Sequence, residues 1–338
     1  MASDTLQQAV EALQALVAVG QPVEEAALRS AAGAVVDAGR RADDEGRSAA
    51  VGALVDTVLA APPLRAAYVA LACGALVEQG AHPYLAVHAV ITRLGEILGT
   101  AESFAKACMK TARDNDDVTD DPVGRYGAQV AAGMGAAASA YTAMEILCRP
   151  AIAMISRSER ARRAANDEGR MVARVRRFPV QHTLLDWLGR LLDTLDAAEV
   201  VALIPGEGRG VRVQVAGLAL NLQLNVLLEG ALVTSPVDRP GAAVLQAAAR
   251  YAAPDVPQHR FSYRLADPRY PTVALPHDGR PAALMQVEGA RVAILIPAVE
   301  MDPVPVSAPF QGMIAELTVI ERLTGDEVSA WLAQVTGR

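Results

Sequence analysis

Aromatic side chains are scarce in this chain, only 4 % of its residues. A core without them has to be built from Ala, Val and Leu, which lets helices approach closely but leaves few flat platforms for stacking bases or planar cofactors. Lysine is rarer still: of 31 basic residues only Lys106 and Lys110 are lysines, a bias that reads as codon usage in a G+C-rich bacterial genome. Cysteine occurs three times, at Cys73, Cys108 and Cys148, with no C-x-x-C pair. That excludes a disulfide framework and a thiolate zinc site, and points to a reducing, cytoplasmic setting. The net charge of −7 argues against general nucleic-acid affinity, which needs a basic surface. The opening "MASDTLQQAV" has neither a basic n-region nor an apolar h-region, so no secretion signal is expected. The longest uncharged run, Ala128–Met144, is rich in Ala and Gly instead of Leu and Ile and is followed at once by Glu145 and Arg149. It reads as a helix packed through small residues, suited to self-association, and not as a membrane span.

The apolar share of 52 % over 338 residues is enough for two cores, and the two parts of the chain follow different patterns. Residues 1–180 read as an all-α domain, a helical bundle or an irregular HEAT-like set of helical hairpins. Leu6, Val10, Leu13 and Val17 recur at helical spacing, and Pro22 sits where a helix start tolerates proline. Further helices are expected over Leu64–Gln79, Pro83–Leu98, Ala101–Arg113, Tyr126–Leu147 and Ala151–Ala165. The echo A-[LV]-V-x-x-G at Ala15–Gly20, Ala34–Gly39 and Ala75–Gly80 suggests helix ends closed by a left-handed glycine.

Residues 181–338 hold 13 of the 20 prolines and read as an α+β domain with a mostly antiparallel sheet. Val211, Val213 and Val215 alternate with polar residues as in a half-buried strand. "RVAILIP" and "ELTVIERL" are further strands, the former in a hairpin with "LMQVEG". Thr324 and Glu327 form a capping box for the last helix. "ALNLQLNVLLEGAL" alternates strictly from Leu218 to Val226, so a strand passing into a helix is expected there.

The stretch "LIPGEGRGVRVQV", Leu203–Val215, tests for a nucleotide site. Its spacing is G-x-G-x-G and a strand follows it, so no helix N-terminus is offered to a phosphate. A hairpin turn is the expectation. No cofactor is implied, and no catalytic residue can be named: G-x-S-x-G, H-E-x-x-H and a P-loop are all missing, and the histidines His82, His88, His182, His259 and His277 form no recognisable constellation.

Two charged segments remain. The acidic run "DNDDVTDD" offers Asp114, Asp116, Asp117, Asp120 and Asp121 as oxygen ligands for a divalent cation. Asp116, Asp117 and Asp120 match D-D-x-x-D, which resembles the magnesium motif of isoprenoid synthases. The resemblance covers five residues; Pro122 and Gly124 favour a loop over the family's helix, and Asn166-Asp167-Glu168 does not supply its second motif. The basic run carries eight arginines between Arg157 and Arg177. Arg157, Arg160, Arg163, Arg174, Arg176 and Arg177 are candidates for contacting an anion, RNA or an acidic partner. The leading expectation is a binding or assembly protein acting through helical surfaces on a protein partner or on itself. The alternatives are an enzyme with an interdomain pocket for a small molecule and a metal in the acidic loop, and an anion- or RNA-binding protein using the basic run.

Overall fold

The computed structural model describes residues 2–18, 23–166, 169–235, 237–251, 255–299 and 302–336. Gly20, Pro22, Asp167 and Glu168 lie outside the described residues. The chain separates into two compact units, Met1–Leu192 and Asp193–Arg338.

The first unit is helical: α1 (Ala2–Val17), α2 (Glu25–Gly39), α3 (Asp44–Ala60), α4 (Pro63–Glu78), α5 (Tyr84–Asp114), α6 (Pro122–Ala131), α7 (Gly135–Ser156), α8 (Glu159–Ala165), α9 (Arg170–Arg176) and α10 (Thr183–Leu192). Its centre is α4, α5 and α7, the most closely associated helices of the unit. Small residues set the distance between them. A Cβ on Gly74 of α4 would lie 2.7 Å from Cα of Pro150 in α7, so the two backbones meet directly. Around this contact Leu76, Leu94, Met144, Leu147 and Met154 are fully buried, each contributing about 1.5–3 kcal/mol.

Several helix limits differ from the sequence expectation. The helices expected over Pro83–Leu98 and Ala101–Arg113 are one continuous helix, α5. Its buried face runs Val87, Val90, Ile91, Leu94, Ile97, Leu98, Ala101, Phe104, Ala105, Cys108 without interruption, and that burial outweighs the cost of about 1 kcal/mol for Gly99 in a helix. Conversely, the helix expected over Tyr126–Leu147 is broken between α6 and α7, where Gly133 and Gly135 flank Met134. Helix α7 then continues past Ala151 to Ser156, and Ser158 starts α8 anew by accepting the Ala161 N–H at 3.1 Å. The break divides the uncharged run Ala128–Met144. From Ala137 onward its apolar face, including Ala140, Tyr141, Ala143 and Met144, is buried inside the unit.

The echoed glycines differ from one another. Gly80 has φ +119° and closes α4 in a Schellman arrangement, Ala81 N–H to Leu76 O and Gly80 N–H to Val77 O. Gly39 stays helical, and a side chain there would strike Leu76. Its role is close helix packing and not a left-handed cap.

The second unit holds β1 (Ala198–Ile204), β2 (Arg209–Ala216), α11 (Asn221–Leu232), α12 (Ala242–Ala249), β3 (Gln258–His259), β4 (Tyr263–Ala266), β5 (Gln286–Val287), β6 (Ala290–Pro297), β7 (Val304–Pro305), β8 (Glu316–Leu323) and α13 (Gly325–Thr336). The main sheet has the order β4-β6-β1-β2-β8, with β5 on β6. It is mixed: β1 runs parallel to β6 and its other pairings are antiparallel. One face carries Val200, Ala202, Val211, Val213 and Val215 against Leu224, Leu228 and Leu232 of α11. The opposite face carries Val201, Leu203, Val292 and Ile294 against Val328, Trp331 and Val335 of α13.

The G-x-G-x-G stretch is the turn of the β1–β2 hairpin, Ile204 pairing with Arg209 across a short 3₁₀ turn at Pro205–Glu207. Gly208 has φ +58°, whereas Gly210 gives room for the Ala202 carbonyl, 2.7 Å from where its Cβ would stand. The β5–β6 hairpin turns at Glu288–Gly289, both at positive φ. At the start of α13, Glu327 accepts hydrogen bonds from the Thr324 N–H and hydroxyl, each at 2.8 Å.

The strand expected from Leu218 is not formed. Only a single bridge joins Leu218 to Leu195, and α11 begins at Asn221. The reason is Gln223: its buried carbonyl oxygen accepts the Ala219 and Leu220 N–H groups at 3.0 and 3.1 Å, capping a helix start that alternation alone could not reveal.

Candidate functional site

In the helical unit, α5 faces α8 and α9 across a groove of about 610 Å³. The α5 wall is His88, Ile91, Thr92, Gly95 and Glu96; the opposite wall includes Arg170, Met171 and Arg174. The positions follow from helical spacing. Arg170 and Arg174 are i, i+4 neighbours on α9, and His88 and Thr92 stand likewise on α5. Gly95 makes the floor: a Cβ there would come within 3.2 Å of Arg174 Nη1 and 3.4 Å of the Met171 methyl, so its absence lets the guanidinium lie across α5. Glu96 is already paired with Arg93 at 2.5 Å. Arg160 stacks over the Tyr84 ring at 3.9 Å, one turn before His88 on the same face of α5. The groove is therefore cationic, with an apolar base at Ile91 and Met171.

The six arginines singled out in the sequence separate into different tasks. Arg174 lines the groove and Arg160 stacks beside it. Arg157 donates to the Ala153 carbonyl at 3.2 Å, finishing α7, and Arg163 pairs with Glu159 within α8. Arg176 and Arg177, at the end of α9, are exposed and outside the groove lining. Arg162 is buried and donates to the Ile155 carbonyl at 3.0 Å. Arg170 was not among the sequence candidates, although its i, i+4 spacing to Arg174 was there to be read.

The acidic run follows α5. Asp116 has φ +52° and occupies the left-handed position of a Schellman turn, with Asp117 N–H to Ala112 O and Asp116 N–H to Arg113 O; aspartate tolerates that conformation better than most residues. Asp117 accepts the Tyr126 hydroxyl at 2.8 Å and Arg125 Nε at 2.9 Å, which raises the Tyr126 phenol above its ordinary value. Asp121 caps α6 by accepting the Gly124 N–H at 2.8 Å. Asp114, Asp116 and Asp120 are exposed and make no side-chain hydrogen bond or ion pair with a described residue. Asp117 and Asp120 border a cavity of about 430 Å³ together with Thr119, Arg113 and Pro179. Among the described residues, no three His, Cys, Asp or Glu side chains are grouped so as to hold a metal ion.

The second unit contains a polar cluster that the sequence reading missed. Asn221, Asn225 and Glu229 recur every fourth residue on α11 and are 3 %, 1 % and 0 % exposed. Asn221 donates to the Pro276 carbonyl and Asn225 to the Tyr263 carbonyl, both at 3.0 Å. Glu229 accepts the Tyr263 N–H at 2.6 Å and sits 2.7 Å from His259 Nε2. Phe261 lies between the two imidazoles, edge-on to His259 at 4.9 Å and stacked on His277 at 5.0 Å. The signal was the N-x-x-x-N-x-x-x-E spacing of "NLQLNVLLE", a polar stripe on an otherwise apolar helix. This cluster ties the chain around residues 259–279 to α11. Among the described residues no hydroxyl or thiol is hydrogen-bonded to His259 or His277.

Burial and the nearby Arg264 charge lower the His277 pKa below its ordinary 6.5. Below pH 6.5 the unfolded chain therefore takes up a proton on His277 more readily than the folded protein does. Its stabilising contribution is present above that pH and is lost as the pH falls below it. We expect the urea midpoint to drop from pH 7.5 to 5.5 by more in the parent protein than in His277→Gln; parallel curves would overturn this.

The other candidate groups have structural uses. His182 Nδ1 accepts the Leu185 N–H at 3.3 Å at the start of α10, and Nε2 is 3.1 Å from Glu145. Burial pushes the Cys73 thiol up to about 12 and the Cys148 thiol higher still, so neither is a thiolate at neutral pH. Among the described residues, no helix is long and apolar enough to cross a membrane. No family model matches the chain, and no curated protein or solved structure matches it either.

Proposed function

We propose that this is a binding or assembly protein whose helical unit docks an acidic segment of a protein partner in the arginine-lined groove. The observation that carries this reading is the facing of Arg170 and Arg174 against His88 and Thr92 over the glycine floor at Gly95. Guanidinium groups grip carboxylates with fixed geometry, and the apolar base accepts a small hydrophobic side chain between them. Net acidity of the whole chain disfavours a nucleic-acid partner, whose backbone asks for a broader basic surface. The buried free cysteines Cys73, Cys108 and Cys148 suit a reducing, cytoplasmic location.

The test is fluorescence anisotropy with a fluorescein-labelled octaglutamate peptide. Binding is expected at about 20 mM salt and to weaken by about 0.3 M as screening shortens. Arg170→Glu/Arg174→Glu is expected to cut affinity by about tenfold or more, equivalent to about 1.4 kcal/mol. Unchanged binding by this variant would sink the proposal.

A further inference from the structure

The helical unit carries its two opposite charge features at two ends of one helix. The cationic groove lies against α5 between His88 and Glu96, and the acidic loop begins where α5 ends, at Asp114. From Glu96 to Asp114 the helix alone spans about 27 Å, at about 1.5 Å per residue. The loop is held in place at both ends, by the Schellman turn at Asp116 and by the Asp121 cap of α6. It cannot fold back into the groove of its own chain, and Asp117 instead pairs with Arg125.

We infer that the occupant of the groove is the acidic loop of a second copy of this chain. This rests on the docking function proposed for the groove. Three observations fit loop to groove. Asp114, Asp116 and Asp120 are exposed and make no ion pair with a described residue, while Arg170 and Arg174 stand at the groove wall. Val118, between the aspartates, is fully exposed at 101 %, an apolar tip flanked by carboxylates. The groove has the matching order, an apolar base of Ile91 and Met171 beside cationic groups. Loop and groove are different surfaces, so every contact joins the loop of one copy to the groove of another: two copies that exchange loops close into a two-fold dimer, and loops passed on to a third copy build a ring or a filament.

A complementation experiment by light scattering tests this. The parent protein is expected to grow in mean mass with concentration at about 20 mM salt and to dissociate by about 0.3 M. Arg170→Gln/Arg174→Gln keeps its loop and loses its groove; Asp116→Asn/Asp120→Asn keeps its groove and loses its loop. Each is expected to be monomeric alone, with a far-UV spectrum and melting temperature like the parent's. Mixed in equal amounts, they should form a one-to-one dimer and nothing larger, because only one productive contact remains. A parent that stays monomeric at low salt, or a mixture that stays monomeric while the parent assembles, overturns the inference. If the parent is monomeric yet binds octaglutamate in a way that needs Arg170 and Arg174, the groove takes an acidic segment of another protein, and only the self-assembly fails.

Discussion

Glu229→Ala is expected to destabilise the second unit by about 2–5 kcal/mol, the cost of leaving two buried hydrogen-bonding groups without their acceptor. Glu229 is fully buried, and its two oxygens serve different elements: one accepts the Tyr263 N–H at the start of β4, the other meets His259. Truncation strands a backbone donor and an imidazole in the interior, where neither finds water. Glu229→Gln keeps the shape and one acceptor, and should lose less, about 1–2 kcal/mol. Urea unfolding followed by Trp331 fluorescence in a Trp187→Phe background reports on the second unit, since Trp331 packs against its sheet. A loss below about 1 kcal/mol for Glu229→Ala would mean the cluster does not hold the loop to α11.

Gly217→Ala should be comparably severe. Gly217 has φ +65°, and an added Cβ would stand inside the van der Waals envelope of the Ile314 carbonyl, with the Ala315 Cα at 3.3 Å. Neither obstacle is a flexible side chain. The left-handed conformation costs about 1–2 kcal/mol and displacing a packed backbone about 1–3 more. The hairpin glycines give an internal scale. Gly208→Ala meets the φ penalty alone, since its nearest neighbour is the Gly325 Cα at 3.7 Å, and should cost about 1 kcal/mol. Gly206 has nothing within 4 Å, so Gly206→Ala should fall within about 0.5 kcal/mol of the parent. The order 206, 208, 217 is the expected result; a Gly217→Ala protein as stable as Gly206→Ala would contradict the close approach at Ile314.

These positions show what local pattern conveys and what it does not. Alternation at Val211, Val213 and Val215 identified β2, and the spacing around Gly206–Gly210 pointed to the β1–β2 hairpin turn, because both depend on a few consecutive residues. The helix expected in this stretch is present as α11, but the strand expected before it is not, because Leu218–Val226 satisfies both periods and the capping by Gln223 that decides between them is a three-dimensional contact. The parallel pairing of β1 with β6 left no mark in either strand. At the groove, the arginine-rich run was visible, but helix geometry alone assigned Arg157 to a helix end and Arg174 to the cavity. Arg170 and the floor at Gly95 emerged only when α9 was set against α5. The buried Asn221–Asn225–Glu229 stripe was legible as spacing and was hidden by the surrounding leucines.

The parallel β1–β6 pairing also bears on how the second unit comes into being. Val200 of β1 is matched with Arg291 of β6, a separation of about 90 residues, whereas β1 and β2 are joined by a turn of a few residues. Long loops close slowly, so the hairpin forms early, and on a growing chain it leaves the ribosome well before its central partner. Until β6 arrives, the inner edge of β1 stands open, with Val200, Val201, Ala202 and Leu203 unshielded. The hairpin thus keeps one edge open until β6 is made and the other until β8 follows, and a chain stopped before residue 316 retains an unpaired edge on β2.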